Sequence, residues 1–243
     1  MKTFFAHQSV GADILAGVDE LVRRGSYVAQ VLDLAQLRGG LESHSTDVLR
    51  KGGHIIVHER MGINREPLTK ITAFRDLLTA KHRPEIDLAL LKFCYVDIAT
   101  QAEAEQLWRH YETAIEQLST VLPSIRLVHC TVPLRSLPEG PYAWLRRALG
   151  HRHPTIVGNR ARDWFNRQLR EHFGAGRELF DLAALQSQRA DGKVCELNDN
   201  GARVPSLARE WTYDGGHFNE RGRTMAAAAF LEFLQTLQDS SKR

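Results

Sequence analysis

Cysteine is scarce in this chain: Cys94, Cys130 and Cys195 are the three it has in 243 residues. An odd, sparse set excludes a disulfide framework and suits a reducing compartment, so a cytoplasmic location is expected. Long apolar runs are lacking as well. No stretch approaches the roughly 18–20 residues that a membrane span needs, so no membrane association is expected. Met1-Lys2-Thr3-Phe4-Phe5 runs into His7-Gln8-Ser9 rather than into the apolar core of a leader peptide. There is no block of like charge either: 32 Lys and Arg face 29 Asp and Glu, a formal net charge of +3. Nucleic acid is therefore not an expected partner. With 8 Pro and 18 Gly the chain shows no linker rich in small residues, and no internal repeat. An apolar share of 43% and a charged share of 25% are ordinary for a globular protein and exclude collagen, coiled coil and disorder.

What is present is an alternation of short apolar runs with helical periodicity. Lys2–Phe5, Tyr27–Leu34, Ile86–Val96, Ile125–Val132 and Leu179–Leu182 read as strands. Between them Ile14, Leu15, Val18, Leu21 and Val22 share one helical face. So do Ile71, Phe74, Leu77 and Leu78, then Leu107, Trp108, Tyr111, Ala114, Ile115 and Leu118. Trp164, Phe165, Leu169 and Phe173 mark a further helix, and Ala227, Phe230, Leu231, Leu234 and Leu237 the last one. Ile86–Val96 is the most continuous apolar run, as suits a strand buried on both faces of a parallel sheet. About five strand–helix alternations predict a three-layer α/β/α sandwich around a flavodoxin-like, mainly parallel five-stranded sheet. In such folds, sites form at the carboxyl ends of the strands.

Two polar segments at opposite ends of the chain carry potential chemistry. Ser9 follows the first strand and opens the first helix, where free backbone N–H groups can stabilise a developing oxyanion. Alone, a serine there is also an ordinary helix cap. Before the last helix stands Tyr213-Asp214-Gly215-Gly216-His217-Phe218-Asn219. Asp214 and His217 are three residues apart, so one turn of chain can pair carboxylate with imidazole and leave the second ring nitrogen free to take a serine proton. The alternative is an Asp-Gly-Gly turn followed by a surface histidine, with Asn219 capping the helix.

Taken together, Ser9 after the first strand and Asp214-Gly215-x-His217-x-Asn219-x-x-Gly222 near the end resemble the SGNH (GDSL-type) hydrolases, as a divergent branch. The resemblance implies Ser9 as nucleophile, His217 as general base and acid, and Asp214 as its orienting partner. It implies an esterase or O-deacylase acting on a carbohydrate or small-metabolite ester through an acyl-enzyme, with no metal or organic cofactor. Two departures stand out. His7-Gln8 precede the serine where the family has Gly-Asp, and Val96 stands in Cys94-Tyr95-Val96-Asp97 where the family's third block supplies an oxyanion-hole Asn. The expected oxyanion donors are therefore the N–H groups of Ser9 and Gly62 with the Asn64 amide. Two alternatives remain open: a binding protein that keeps the fold without turnover, and an acyltransferase using the same triad. An α/β-hydrolase fits less well, because its nucleophile elbow needs Gly where His7 stands.

Other residues carry smaller expectations. His7 and Asp97 are candidates to line the pocket, with Lys92 beside Asp97. His54 and His58 lie on one side of a strand without a third ligand, and no His-Glu-x-x-His occurs, so no metal site is expected. Arg135, Arg146, Arg147 and Arg152, with Tyr142 and Trp144, could bind an acidic or sugar-like substrate or form a basic surface. Because residue 9 and residues 214–217 must meet, one domain over 1–243 is expected; the oligomeric state is not legible.

Overall fold

The structure is a computed structural model and describes residues 1–37, 46–81, 83–137, 153–174, 178–199 and 201–241. In chain order it contains β1 (Lys2–His7), α1 (Ser9–Arg23), β2 (Ala29–Asp33), α2 (Thr46–Arg50), β3 (His54–Arg60) and α3 (Pro67–Thr79). Then come β4 (Leu88–Leu91), α4 (Gln101–Val121), β5 (Arg126–Cys130), α5 (Pro154–Phe173), β6 (Leu179–Phe180) and α6 (Leu182–Ser187). A small antiparallel pair, β7 (Glu196–Asp199) and β8 (Ala202–Pro205), precedes α7 (Glu220–Ser240).

The central sheet is parallel and has six strands in the order β2-β3-β1-β4-β5-β6, not the expected five. The additional strand is β3, which pairs along the whole of β1 from Lys2↔Ile55 to His7↔Arg60. Its apolar stretch is only Ile55-Ile56-Val57, and histidines stand on both sides of it. Burial is continuous from His54 to Val57, so the strand has no period-2 pattern and its three apolar residues make only a short run. The fold class is otherwise as expected, with helices covering both faces.

Alternate residues of each strand feed two cores. Phe4, Ile55, Val57, Ala89, Leu91 and Leu127 pack against α3, α4 and α5, whereas Phe5, Ile56, Leu88, Leu90 and Val128 pack against α1 and α7. The long apolar run from Ile86 yields a strand of four residues only. The chain leaves the sheet after Leu91, because Asp97 folds the next segment back by accepting the Cys94 N–H at 2.6 Å.

This topology fixes where a site can form. The chain leaves β1 toward β2 on one side and leaves β4 toward β5 on the other, so a crevice opens between the carboxyl ends of β1 and β4. Helix α1 begins there. Its partner α7 crosses it closely: a Cβ added to Gly17 would stand 2.4 Å from the Arg223 carbonyl oxygen. The first and last helices of the chain therefore start side by side, which brings residue 9 to the loop before residue 220. Among the described residues, no helix is long and apolar enough to cross a membrane.

Candidate active site

Ser9 is the first residue of α1, half-buried, and the sharp turn from β1 into the helix puts its side chain at the crevice. Opposite it lies the turn 212–218. There the Asp214 carboxylate accepts the backbone N–H groups of Gly216 and His217, both at 2.8 Å, on one oxygen. Its other oxygen accepts the His217 Nδ1–H at 2.6 Å. With Nδ1 carrying the proton, Nε2 accepts from the Ser9 hydroxyl at 2.9 Å. Partial burial pushes the Asp214 carboxyl upward, but the hydrogen bonds from the His217 ring and the two N–H groups prevail and hold it at about 2. The turn and the pairing, alternatives at the sequence level, are one object.

Both glycines of that turn are required by contacts. Gly215 has φ +86°, in the left-handed region. At Gly216 a Cβ would lie 2.8 Å from the Tyr95 ring. Thr212 closes the turn by accepting the Gly215 N–H at 2.9 Å and donating to the His217 carbonyl at 2.6 Å. Asp13, one turn along α1 from Ser9, accepts the Phe218 N–H at 3.1 Å and pairs with Arg223. It ties the histidine turn to the serine helix. The i, i+4 spacing of Ser9 and Asp13 is a signal that sequence reasoning passed over.

The segment after β3 forms the other wall. The Gln8 amide donates to the carbonyls of Met61 and Gly62 at 2.8 and 2.9 Å, holding that loop against the residue before the serine. Gly62 has φ +65°, and a Cβ there would meet Lys70 at 2.6 Å. Among the described residues, no acceptor takes the N–H of Ser9 or of Gly62. Asn64 accepts from Lys70 Nζ at 3.0 Å on its amide oxygen, and among the described residues its NH₂ group has no partner.

Two pocket candidates are placed elsewhere. Asp97 is the centre of a buried tether. It pairs with Lys70 at 2.5 Å, both side chains at 0% exposure, and accepts the N–H groups of Cys94 and Arg65. Its partner is thus Lys70 and not Lys92, whose ammonium donates to the Phe93 carbonyl at 2.9 Å inside the core. His7 is buried beneath α1, where it donates Nδ1–H to the Gln8 carbonyl at 2.8 Å. Its Nε2 accepts from His58 Nδ1 at 3.1 Å. It packs against Gly11, where an added Cβ would lie 2.3 Å from the His7 Cβ and 2.6 Å from its ring. His54 sits at the far end of β3, buried, and no group of three metal-ligating side chains occurs among the described residues. Arg146, Arg147, Arg152, Tyr142 and Trp144 lie outside the described residues.

The buried histidines have a consequence for stability. Burial pushes His7 down to about 3, and His129, packed on Phe173, also down to about 3. Both stay neutral in the folded protein, whereas the unfolded chain binds protons on them below the ordinary value near 6.5. Stability is therefore complete above pH 6.5 and declines as the pH falls toward 4, by about 1.4 kcal/mol per pH unit for each such histidine. Urea unfolding at pH 7, 6 and 5 should show this slope. A folding free energy independent of pH over that range would contradict it.

A parallel α/β sandwich with a serine opening its first helix and an Asp-x-x-His turn opening its last is similar in order and placement to the SGNH (GDSL-type) hydrolases. No protein-family profile and no curated protein sequence matches the chain. Among solved structures it is similar to a protein from Streptococcus pneumonia named for platelet activating factor, at 13% identity over 93% of this chain and 92% of that one, TM-score 0.47. It is also similar to a peptidoglycan O-acetylesterase, at 21% identity over 76% of this chain and 47% of that one, TM-score 0.45. A third is a lipolytic protein of the G-D-S-L family from Desulfitobacterium hafniense, at 11% identity over 84% and 98%, TM-score 0.43.

Proposed function

We propose that the protein is a serine hydrolase of the SGNH type, an esterase or O-deacylase acting on a carbohydrate or small-metabolite ester. The observation that carries this reading is the continuous hydrogen-bonded chain from Asp214 through His217 to Ser9. Ser9 Oγ attacks the ester carbonyl carbon while His217 Nε2 takes the hydroxyl proton, and Asp214 stabilises the imidazolium so formed. As the intermediate collapses, the bond to the alcohol oxygen breaks and that oxygen receives the proton from Nε2. Water then repeats the sequence on the acyl-enzyme, releasing the acid and restoring Ser9. The free N–H groups of Ser9 and Gly62, with the Asn64 amide, are the donors we assign to the oxyanion. The Asn64 amide takes the part that Val96 cannot play. Acyl transfer to an alcohol in place of water uses the same steps. Because residue 9 and residues 214–217 build one site, we read 1–243 as a single working domain.

A fluorophosphonate probe tests the assignment. One equivalent should attach to the peptide containing Ser9, and labelling should vanish in Ser9→Ala. Absence of labelling of the folded wild type, under conditions that label a control serine hydrolase, would sink the nucleophile and favour a binding protein without turnover.

A further inference from the structure

The segment that follows β5 forms the remaining side of the site, and its backbone is fixed from two directions. The Arg135 N–H donates to Asn159 at 3.0 Å. Its carbonyl accepts from the Asn159 amide at 2.8 Å and from the Leu207 N–H at 3.3 Å. The Ser136 N–H donates to the Gly215 carbonyl at 2.9 Å, which binds this segment to the turn carrying Asp214 and His217. The Arg135 guanidinium lies over the Tyr95 ring, Cζ 5.3 Å from the centroid. That same ring meets the His217 imidazole edge-on at 5.8 Å. A fixed cation thus stands one aromatic ring away from the catalytic base.

Arg135 makes no ion pair among the described residues, and its Nε is buried without a hydrogen-bond partner, as is the hydroxyl of the adjacent Ser136. Its charged neighbour is a second arginine. Arg162 is 3% exposed and gives its N–H groups to the carbonyls of Tyr95 and Ile98 and to Asn159. Burial, reinforced by the like charge of Arg135, pulls Arg162 down to about 9. Asp214, the carboxylate of the facing turn, is already occupied by His217 and two N–H groups. Two guanidinium groups with no counter-charge among the described residues and with orphaned donors, Arg135 being the half-exposed one, are poised for an anion that arrives from outside. Tyr213, 65% exposed and stacked on His217 at 6.0 Å, adds an apolar face beside it.

We propose that Arg135, seated on Tyr95 and backed by Arg162, is a subsite for an anionic group of the substrate. The natural ester is then an acidic one, its carboxylate held by the guanidinium fork while the acyl group faces Ser9. The inference rests on the serine-hydrolase reading for the ester and on Arg135 for the charge, and the two parts can be tested separately.

The kinetic arm compares 4-acetoxybenzoate with its neutral methyl ester. Arg135→Gln should lower kcat/KM for the anion by about 10- to 100-fold, mostly through KM, and leave the neutral ester within about twofold. Arg135→Lys, which keeps the charge but loses the fork, should fall between. Equal losses on both esters, or none on the anion, would overturn the subsite. The binding arm titrates 4-acetoxybenzoate into Ser9→Ala by calorimetry, with and without Arg135→Gln, at matched melting temperature. Binding that ignores Arg135 also overturns the subsite. If the wild type turns over neither ester while Arg135-dependent binding persists, the hydrolase reading fails and the subsite stands.

Discussion

Asp214→Asn should reduce kcat/KM on a short-chain acyl ester about 10⁴-fold, and Ser9→Ala about 10⁶-fold, with both proteins folded. The asparagine result follows from hydrogen-bond polarity. Asp214 accepts three times, from two backbone N–H groups on one oxygen and from His217 Nδ1 on the other. In the variant the amide oxygen can keep the backbone pair, so the NH₂ faces Nδ1 and forces that nitrogen to accept. The imidazole then carries its proton on Nε2, the atom that must receive the Ser9 proton, and the base is disabled without a change of shape. Because Asp214 is held at about 2, it is ionised throughout the neutral range, and its titration does not shape the activity profile there. Steady-state kinetics with circular dichroism as a fold control measures both variants. A loss of less than about tenfold in Asp214→Asn would remove Asp214 from the proton relay.

The parts of the site that were legible in the sequence are those built within a few residues. The turn from Asp214 to His217 is a local object, so its pairing can be read from spacing, and Ser9 announces itself by following a strand. The contact between them, across 208 residues of chain, follows only if the first and last helices start together. A small residue, Gly17, permits that packing, but it does not advertise it. The strand at Ile55-Ile56-Val57 was read but not counted into the sheet, because three apolar residues between His54 and His58 are a short run, and a buried histidine such as His54 looks like a surface one in sequence. His7 was ambiguous for the same reason. Lys70 and Asp97 were beyond reach. An ammonium in the first turn of an amphipathic helix reads as solvent-facing, and nothing in the spacing of 27 residues links it to a carboxylate after β4. Asp97 matches in type the residue that the sequence resemblance led one to expect, and it serves as the anchor of two loops.

That anchor gives the largest expected effect on stability. Lys70→Met should destabilise the protein by about 3–5 kcal/mol, because it leaves the Asp97 carboxylate in a site of 0% exposure without its counter-charge. For a chain of this size that corresponds to a fall in melting temperature of about 10 °C. Adding Asp97→Asn should return part of the loss. The asparagine is neutral, and its single oxygen can keep one of the two N–H groups, Cys94 or Arg65, which sit on different carboxylate oxygens. Activity should follow a different course. Lys70 also holds the Asn64 amide oxygen and packs beneath Gly62, so both the single and the double variant lose the device that aims the proposed oxyanion donors. The expected pattern is partial recovery of melting temperature in the double variant with kcat still depressed by about 10²-fold or more, on the scale of a lost oxyanion donor. A single variant that melts with the wild type would mean the ion pair contributes nothing net. If the double variant regains full kcat, Lys70 supports the fold alone, and Val96 is left without a substitute for the oxyanion asparagine.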